Sequence, residues 1–182
     1  MTKVTFPKLV FFDLDGTIIE PMDFNKIRSL LGVKGPILES IIDDFEKLKI
    51  LKSFEIEHAK NAKLMPHSDF VLNYLKNLGV VCVLITRNCI DSVRIVCKRF
   101  KLKFDEIVTR EMGHFKPSPY HVMRIINKWG FDRKNCLIVG DHEFDVLTGI
   151  NAGIKTALIG NDCKADIYLK TLKDLLKYVV FE

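Results

Sequence analysis

Residues 8–17 read KLVFFDLDGT, and the rest of the chain is organised around this stretch. The apolar run Leu9–Phe12 leads directly into Asp13 and Asp15. Such a short apolar run before a glycine is typical of a strand buried on both faces of a parallel sheet. Because side chains alternate along a strand, Asp13 and Asp15 point to the same side and repel unless a proton or a cation intervenes. The pattern predicts a charged site where the first core strand ends and Gly16 turns the chain away.

Composition limits the classes of function to consider. The 182 residues are 48% hydrophobic, which suffices for one core and a small appended subdomain. The chain carries 28 basic and 23 acidic residues without a block of like charge, so nucleic-acid binding is not indicated. The five cysteines form no C-x-x-C pair, which predicts a reducing compartment and no structural zinc. With no secretory or membrane-spanning pattern, we expect a soluble cytoplasmic protein with no membrane partner.

The segment 18–65 differs from the rest because its apolar residues recur at helical spacing and no strand pattern interrupts it. The predicted helices lie at about 24–31, 37–48 and 55–63. We therefore expect a helical cap subdomain at 18–65, inserted after the first strand into a core domain formed by residues 1–17 and 66–182. Linkers near Pro21 and Pro66 would join the two. Arg28 and Lys34 of this insertion are interpreted as solvent-facing residues, with contact to an anionic substrate as the alternative.

From residue 66 onward, predicted strands alternate with predicted helices. The strands are expected at 80–85, 106–109, 136–139, 155–159 and, as a short edge strand, 167–169. A last amphipathic helix is expected from Thr171. This alternation implies right-handed crossovers and an α/β fold with a doubly wound, Rossmann-like parallel sheet. Ligands of such sheets bind at the carboxyl ends of the strands.

Polar residues follow several of these strands and should share one rim of the sheet. They are Asp13 and Asp15 after the first strand, Thr86, Arg87 and Asn88 after the second, Gly140, Asp141 and Asp145 after a later one, and Lys116 in a loop before a helix. Clustered carboxylates suit a hard cation such as Mg²⁺. A hydroxyl, backbone N–H groups and a lysine suit phosphate oxygens. A carboxylate is also able to attack phosphorus as a nucleophile.

Four short motifs in this order resemble those of the haloacid dehalogenase superfamily, in its phosphatase branch with a small helical cap. The motifs are Asp13-x-Asp15-Gly16-Thr17, Leu84-Ile85-Thr86, Lys116-Pro117 and Gly140-Asp141-x-x-x-Asp145. Their order and spacing resemble phosphoglycolate phosphatase-like members, and the match extends over essentially the whole chain.

The resemblance implies a role for each motif residue. Asp13 would be the nucleophile and a metal ligand, and Asp15 the general acid and then base, with its backbone carbonyl also on the metal. Asp141 would complete the Mg²⁺ ligands. The remaining expected roles are phosphate binding by Thr86, Arg87, Asn88 and Lys116, and support by Gly16, Gly140 and Asp145. An acid at the position of Asp15 disfavours dehalogenation.

The leading expectation is a Mg²⁺-dependent phosphatase that hydrolyses a small phosphomonoester through an aspartyl-phosphate. A sugar-phosphate mutase would use the same Asp13 chemistry and stays open. A phospho-accepting signalling domain is disfavoured, because its acceptor follows a middle strand and no helical insertion follows the first. A binding protein without catalysis is disfavoured because no motif residue is missing. The identity of the ester and the oligomeric state are not indicated by the sequence.

Overall fold

The computed structural model describes residues 4–160 and 162–181. Its main sheet has six parallel strands, which are β2 (Leu9–Phe12), β3 (Val81–Ile85), β4 (Glu106–Val108), β5 (Cys136–Gly140), β6 (Lys155–Ile159) and β7 (Ile167–Leu169). Their order across the sheet is β4-β3-β2-β5-β6-β7. A separate antiparallel pair joins β1 (Val4–Phe6) to β8 (Val180–Phe181). The predicted doubly wound parallel sheet is confirmed.

The apolar residues of β2 make it the central strand of the sheet. Val10 and Phe12 belong to the hydrophobic cluster on one face, and Leu9 and Phe11 to the cluster on the other. All four side chains are fully buried, as expected for a strand covered by helices on both sides. The acids that follow β2 are therefore held at the middle of the sheet edge.

Helices cover the two faces of the sheet, where their buried residues join the two hydrophobic clusters. The core α-helices are α4 (Ser68–Asn77), α5 (Ile90–Phe100), α6 (Tyr120–Trp129) and α7 (Glu143–Ala152). The amphipathic helix predicted from Thr171 is a 3₁₀ helix, Leu172–Tyr178. Its buried residues Leu172 and Leu175 are three apart, which matches the three residues per turn of that helix. Within the described ranges, no helix is both long and apolar enough to cross a bilayer.

The insertion contains α1 (Phe24–Leu31), α2 (Ile37–Ile41) and α3 (Phe45–Asn61). Its division differs from the prediction, because α2 ends early and α3 is one continuous helix. Asp44 causes the break: its carboxylate accepts a hydrogen bond from the Lys47 backbone N–H at 3.0 Å and so begins a new helix. Buried residues of α1, α2 and α3 form a hydrophobic cluster of their own.

Candidate active site

The carboxyl ends of β2, β3 and β5 meet at one point of the sheet edge. Phe12 is in register with Leu84 of β3 and with Val139 of β5, so the three strands end at the same level. The residues that follow them, among them Asp13, Thr86 and Asp141, line a single cavity of about 470 Å³. The other predicted site side chains on this cavity are Asp15, Arg87, Asn88, Lys116 and Asp145. The expected rim is thus present.

Three carboxylates converge at the base of this cavity. Asp13, Asp141 and Asp145 each offer an oxygen within 4.8 Å of the others. Burial and the charges of Asp13 and Asp145 raise the pKa of Asp141 to about 8. Burial also raises the pKa of Asp145 to about 6, against the opposing charge of Lys116. Three ionised carboxylates this close together are unfavourable without a counter-charge. Their oxygens are the ligands that a hard divalent cation such as Mg²⁺ prefers, so the residues present fit such a cation.

Lys116 lies between two of these acids. Its Nζ donates to Asp13 Oδ1 at 2.6 Å and to the Asp145 carboxylate, and the side chain is 3% exposed. Burial alone would lower the pKa of Lys116, but the charges of Asp13 and Asp145 outweigh it and hold the pKa above its usual range. The ammonium group is therefore charged at neutral pH and touches the carboxylate of the predicted nucleophile.

Two motif glycines provide the space that the acids occupy. A Cβ on Gly16 would lie 1.9 Å from Asp141 Oδ2, and Gly16 also has a φ of +72°. A Cβ on Gly140 would lie 2.0 Å from Asp145 Oδ2. Any side chain at either position would displace a carboxylate, which gives the two predicted supporting residues a steric role.

Thr86 and Asn88 follow β3 at the cavity wall. Thr86 is 3% exposed, and its Oγ1 accepts a hydrogen bond from the Asn88 backbone N–H at 3.1 Å. This bond does not use the hydroxyl proton of Thr86, which is left to donate to another acceptor. The hydroxyl does not begin α5, since Cys89 is the N-cap of that helix.

Arg87 connects the insertion to the core. Its guanidinium donates to the carboxylate of Glu39 in α2 and to the backbone carbonyl of Lys116. It also lies over the rings of Phe115 and Phe144, at 4.9 and 4.3 Å from their centroids. These contacts hold α2 beside the cavity. Phosphate binding by Arg87 stays a prediction, because its guanidinium is bound here to other partners.

Asp15 is buried and has an unexpected neighbour in the insertion. Asp15 Oδ1 has no hydrogen-bond partner among the described residues, and His58 Nε2 of α3 lies 3.4 Å away. His58 Nε2 is closer, at 2.7 Å, to the backbone carbonyl of Glu20. Burial raises the pKa of Asp15 more than the neighbouring His58 lowers it, and Asp15 in turn raises the pKa of His58. The protonated form of Asp15, which a general acid needs, is thereby favoured.

Glu55 forms a second connection between α3 and the core. Glu55 is 2% exposed, and its carboxylate accepts from the guanidinium of Arg110 and from the Cys89 backbone N–H. Sequence reasoning missed both Glu55 and His58, because neither belongs to a motif. Their spacing of three residues places them on one face of α3, and this spacing is the signal that could have identified the face against the core.

We expect Glu55→Ala to lower the free energy of unfolding by about 3–5 kcal/mol, because it leaves the Arg110 charge buried without its partner. Urea denaturation measures the loss. Glu57→Ala, on the same helix but 69% exposed at the side chain, is the matched control and should cost less than about 1 kcal/mol. Replacing both partners, as Glu55→Leu with Arg110→Met, should recover much of the loss. Equal effects of Glu55→Ala and Glu57→Ala would contradict the assignment.

The insertion forms the other wall of the cavity. Apolar side chains contribute much of this wall, namely Met22, Phe24, Ile37, Leu38 and Leu51. Arg28 and Lys34 also line the cavity, and Arg28 is half-buried. The side chain of Lys34 is exposed, as expected, whereas that of Arg28 is partly covered, and both residues lie at the cavity where the alternative interpretation, contact with an anionic substrate, stays open.

Comparison with known proteins agrees with this geometry. The sequence profile of the haloacid dehalogenase-like hydrolases matches residues 24–159. An uncharacterized hydrolase of Saccharomyces cerevisiae is 29% identical over 178 residues, which cover 90% of this chain and 82% of that protein. The pyrophosphatase PpaX of Bacillus cereus is 28% identical over 190 residues, covering 90% and 88%.

The fold is similar to that of solved structures. The crystal structure of a predicted phosphoglycolate phosphatase from Haemophilus somnus superposes with a TM-score of 0.75 at 20% identity, covering 96% of this chain and 98% of that one. The profile match, the six-stranded parallel sheet and the four motifs at its carboxyl edge agree with one another. The chain belongs to the haloacid dehalogenase-like hydrolase family.

Proposed function

We propose that this enzyme is a Mg²⁺-dependent phosphatase that hydrolyses a small phosphomonoester through an aspartyl-phosphate on Asp13. The observation that carries the proposal is the contact of the Lys116 ammonium with the Asp13 carboxylate, at 2.6 Å, inside a cavity where Asp141 and Asp145 also converge. A nucleophile next to a fixed cation is the arrangement that a negatively charged phosphate ester requires.

In the proposed first step, the Asp13 carboxylate attacks phosphorus while the bond from phosphorus to the alcohol oxygen breaks. Lys116 and the Thr86 hydroxyl hold the phosphoryl oxygens as negative charge redistributes among them. Water then attacks the aspartyl-phosphate and releases inorganic phosphate, which restores Asp13.

The residues that would hold Mg²⁺ are Asp13, Asp141 and the backbone carbonyl of Asp15, with Asp145 in support. When bound, the cation would offset the negative charge shared by the carboxylates and the phosphoryl group. The pKa of Asp141, raised to about 8 by burial and by the charges of Asp13 and Asp145, supports this assignment, because a bound cation would favour the ionised form of this acid. Lys116 alone is one ammonium among three acids.

Asp15 is proposed as the general acid. It gives its proton to the departing alkoxide, and as a carboxylate it then takes a proton from the water that attacks the aspartyl-phosphate. Its burial favours the protonated form before the first step. His58, 3.4 Å from Asp15 Oδ1, lies on the insertion side of the acid.

Asp15→Asn should slow the release of an alkyl alcohol by roughly 10²–10⁴-fold and the release of nitrophenolate much less, since only the alkoxide needs a proton to leave. The rate of alcohol or nitrophenolate release in the first turnover is the quantity to measure. The later attack of water on the aspartyl-phosphate is the same for both esters and would hide the difference at steady state. Asp69→Asn, an acid outside the cavity in α4, is the control. Equal losses on the two esters would argue against Asp15 as the acid.

We also propose that residues 18–65 act as a cap on the core of residues 1–17 and 66–182. The insertion lines one side of the cavity, and its two linkers both lie beside Asp15: Ile19 bridges to Asp15 and to Leu64. A cap in this position would exclude water and leave room for a metabolite. It would not admit a folded protein surface or a nucleic-acid duplex.

A substrate panel with Mg²⁺ tests the proposed function. We expect the highest kcat/KM for small phosphomonoesters, with phosphopeptides and 5′-phosphorylated oligonucleotides at least about tenfold lower. Pyrophosphate belongs in the panel because a relative is named for that activity. Release of inorganic phosphate, rather than its return to another position of a sugar, separates a phosphatase from a mutase. Preference for the macromolecules would contradict the proposed cap.

A further inference from the structure

We propose that Arg28 and Lys34 form a binding site for a second anionic group of the substrate, at the insertion end of the cavity. The inference rests on the proposed function, which places the phosphoryl group of the substrate at the core end. It extends that function by naming a substrate class: a small phosphate ester that carries a carboxylate or another phosphoryl group.

The pairing of charges separates the basic residues of the cavity into two groups. Lys116 is bound by Asp13 and Asp145, and Arg87 is bound by Glu39. Arg28 and Lys34 line the same cavity, and no carboxylate within the described part of the chain forms an ion pair with either. Their positive charges are therefore not held in an ion pair by a described carboxylate, although Glu143 also lines the cavity.

The contacts of Arg28 hold this charge in place without neutralising it. Its guanidinium donates to Asn25 Oδ1 at 3.2 Å and to the backbone carbonyl of Gly35 at 3.4 Å, both of which are uncharged acceptors. Gly35 directly follows Lys34, so the bond fixes the guanidinium against the loop that carries the second cation. An anion bound at this wall of the cavity would be attracted by both positive charges. A half-buried guanidinium with free donors is well suited to a carboxylate or phosphate.

The remaining lining gives the shape of the substrate. Acidic residues and Lys116 occupy the core end, whereas Met22, Ile37 and Leu38 supply apolar surface on the insertion side. A ligand that fits has its phosphoryl group at the core, a short carbon chain along the apolar wall and its second anion at Arg28 and Lys34. A cavity of about 470 Å³ holds a molecule of this size.

Three matched esters test the site. They are 3-(phosphonooxy)propanoate, the amide in which a neutral carboxamide replaces its carboxylate, and propane-1,3-diol bisphosphate. We expect kcat/KM of the wild type for the carboxylate or the bisphosphate to exceed that for the amide about tenfold. Arg28→Gln and Lys34→Gln should each lower this preference by up to roughly fivefold, and the double variant should nearly abolish it. The ester whose kcat/KM falls most in the double variant shows whether the site prefers a carboxylate or a phosphoryl group as the second anion.

Lys26→Gln is the matched control, because Lys26 is an exposed lysine of α1 that does not line the cavity. It should keep the wild-type preference. Equal kcat/KM for the acid, bisphosphate and amide in the wild type, or equal effects of Lys26→Gln and Lys34→Gln, would overturn the site while leaving the phosphatase intact. If no ester is hydrolysed, the proposed function fails, and calorimetric binding of the carboxylate ester and its amide then tests the site. Equal affinities for the two would overturn the site. Tighter binding of the carboxylate ester that is lost in the double variant would support it.

Discussion

Replacing Asp13 by asparagine is expected to leave the protein folded and to lower kcat by roughly 10³-fold or more. The amide cannot form the acyl phosphate, so no covalent intermediate accumulates. The fold should survive because the change removes one of three converging carboxylates, while Lys116 keeps its bond to Asp145. Turnover of a small phosphomonoester and phosphate incorporation into the protein are the two measurements.

Asp132→Asn is the control for Asp13→Asn, since it makes the same chemical change at an acid whose side chain is 73% exposed. Asp132 lies before β5, at the opposite end of the strand from the site. It should retain wild-type kcat. A folded Asp13→Asn protein with near-normal turnover would exclude the covalent mechanism, whatever the substrate.

Removal of divalent cations is expected to abolish activity, and Mg²⁺ should restore it. Burial, together with the charges of Asp13 and Asp145, raises the pKa of Asp141 to about 8, so the cluster is unfavourable when all of its acids are ionised. Binding only to the folded site should also stabilise the protein, by about 2.7 kcal/mol at 100 times the dissociation constant. Activity after chelation and the thermal midpoint with and without Mg²⁺ test the two effects separately.

Asp141→Asn should reduce both the Mg²⁺-dependent rise in the thermal midpoint and the affinity for Mg²⁺ in turnover. Asp132→Asn again serves as the control and should change neither. A rate that is unaffected by chelation, or a thermal midpoint that Mg²⁺ leaves unchanged, would show that the carboxylate cluster does not hold a cation.

The core of the fold could be predicted from local patterns because the local signals agree with the tertiary arrangement. The run Leu9–Phe12 is apolar at every position, and a run this short before a glycine turn is typical of a strand covered on both faces. The alternation of strands and helices after residue 66 leaves essentially one handedness of connection. Once the strands are parallel, Asp13, Thr86 and Asp141 must meet at one edge.

Other features were missed because their determinants are not local. The break between α2 and α3 depends on Asp44 capping a helix that runs through a region of mixed polarity, where apolar spacing alone is ambiguous. The 3₁₀ helix Leu172–Tyr178 packs against α4 and β7, and the burial of Leu172 and Leu175 there goes with its three-residue turn. In both places the packing partner, rather than the pattern, selected the conformation.

The sequence by itself determined the sheet, the order of its motifs and the membership of the charged cluster, because these follow from strand burial and from the parallel connection rule. Only the tertiary structure decided what the insertion contributes. Glu55 and His58 reach the core because α3 packs on α5 and beside Asp15. Arg87 binds Glu39, and Arg28 lines the cavity, because the loop from α1 to α2 folds over the strand ends. Contacts between residues thirty or more positions apart carry no periodicity in the chain, and they exist only once both partners are packed.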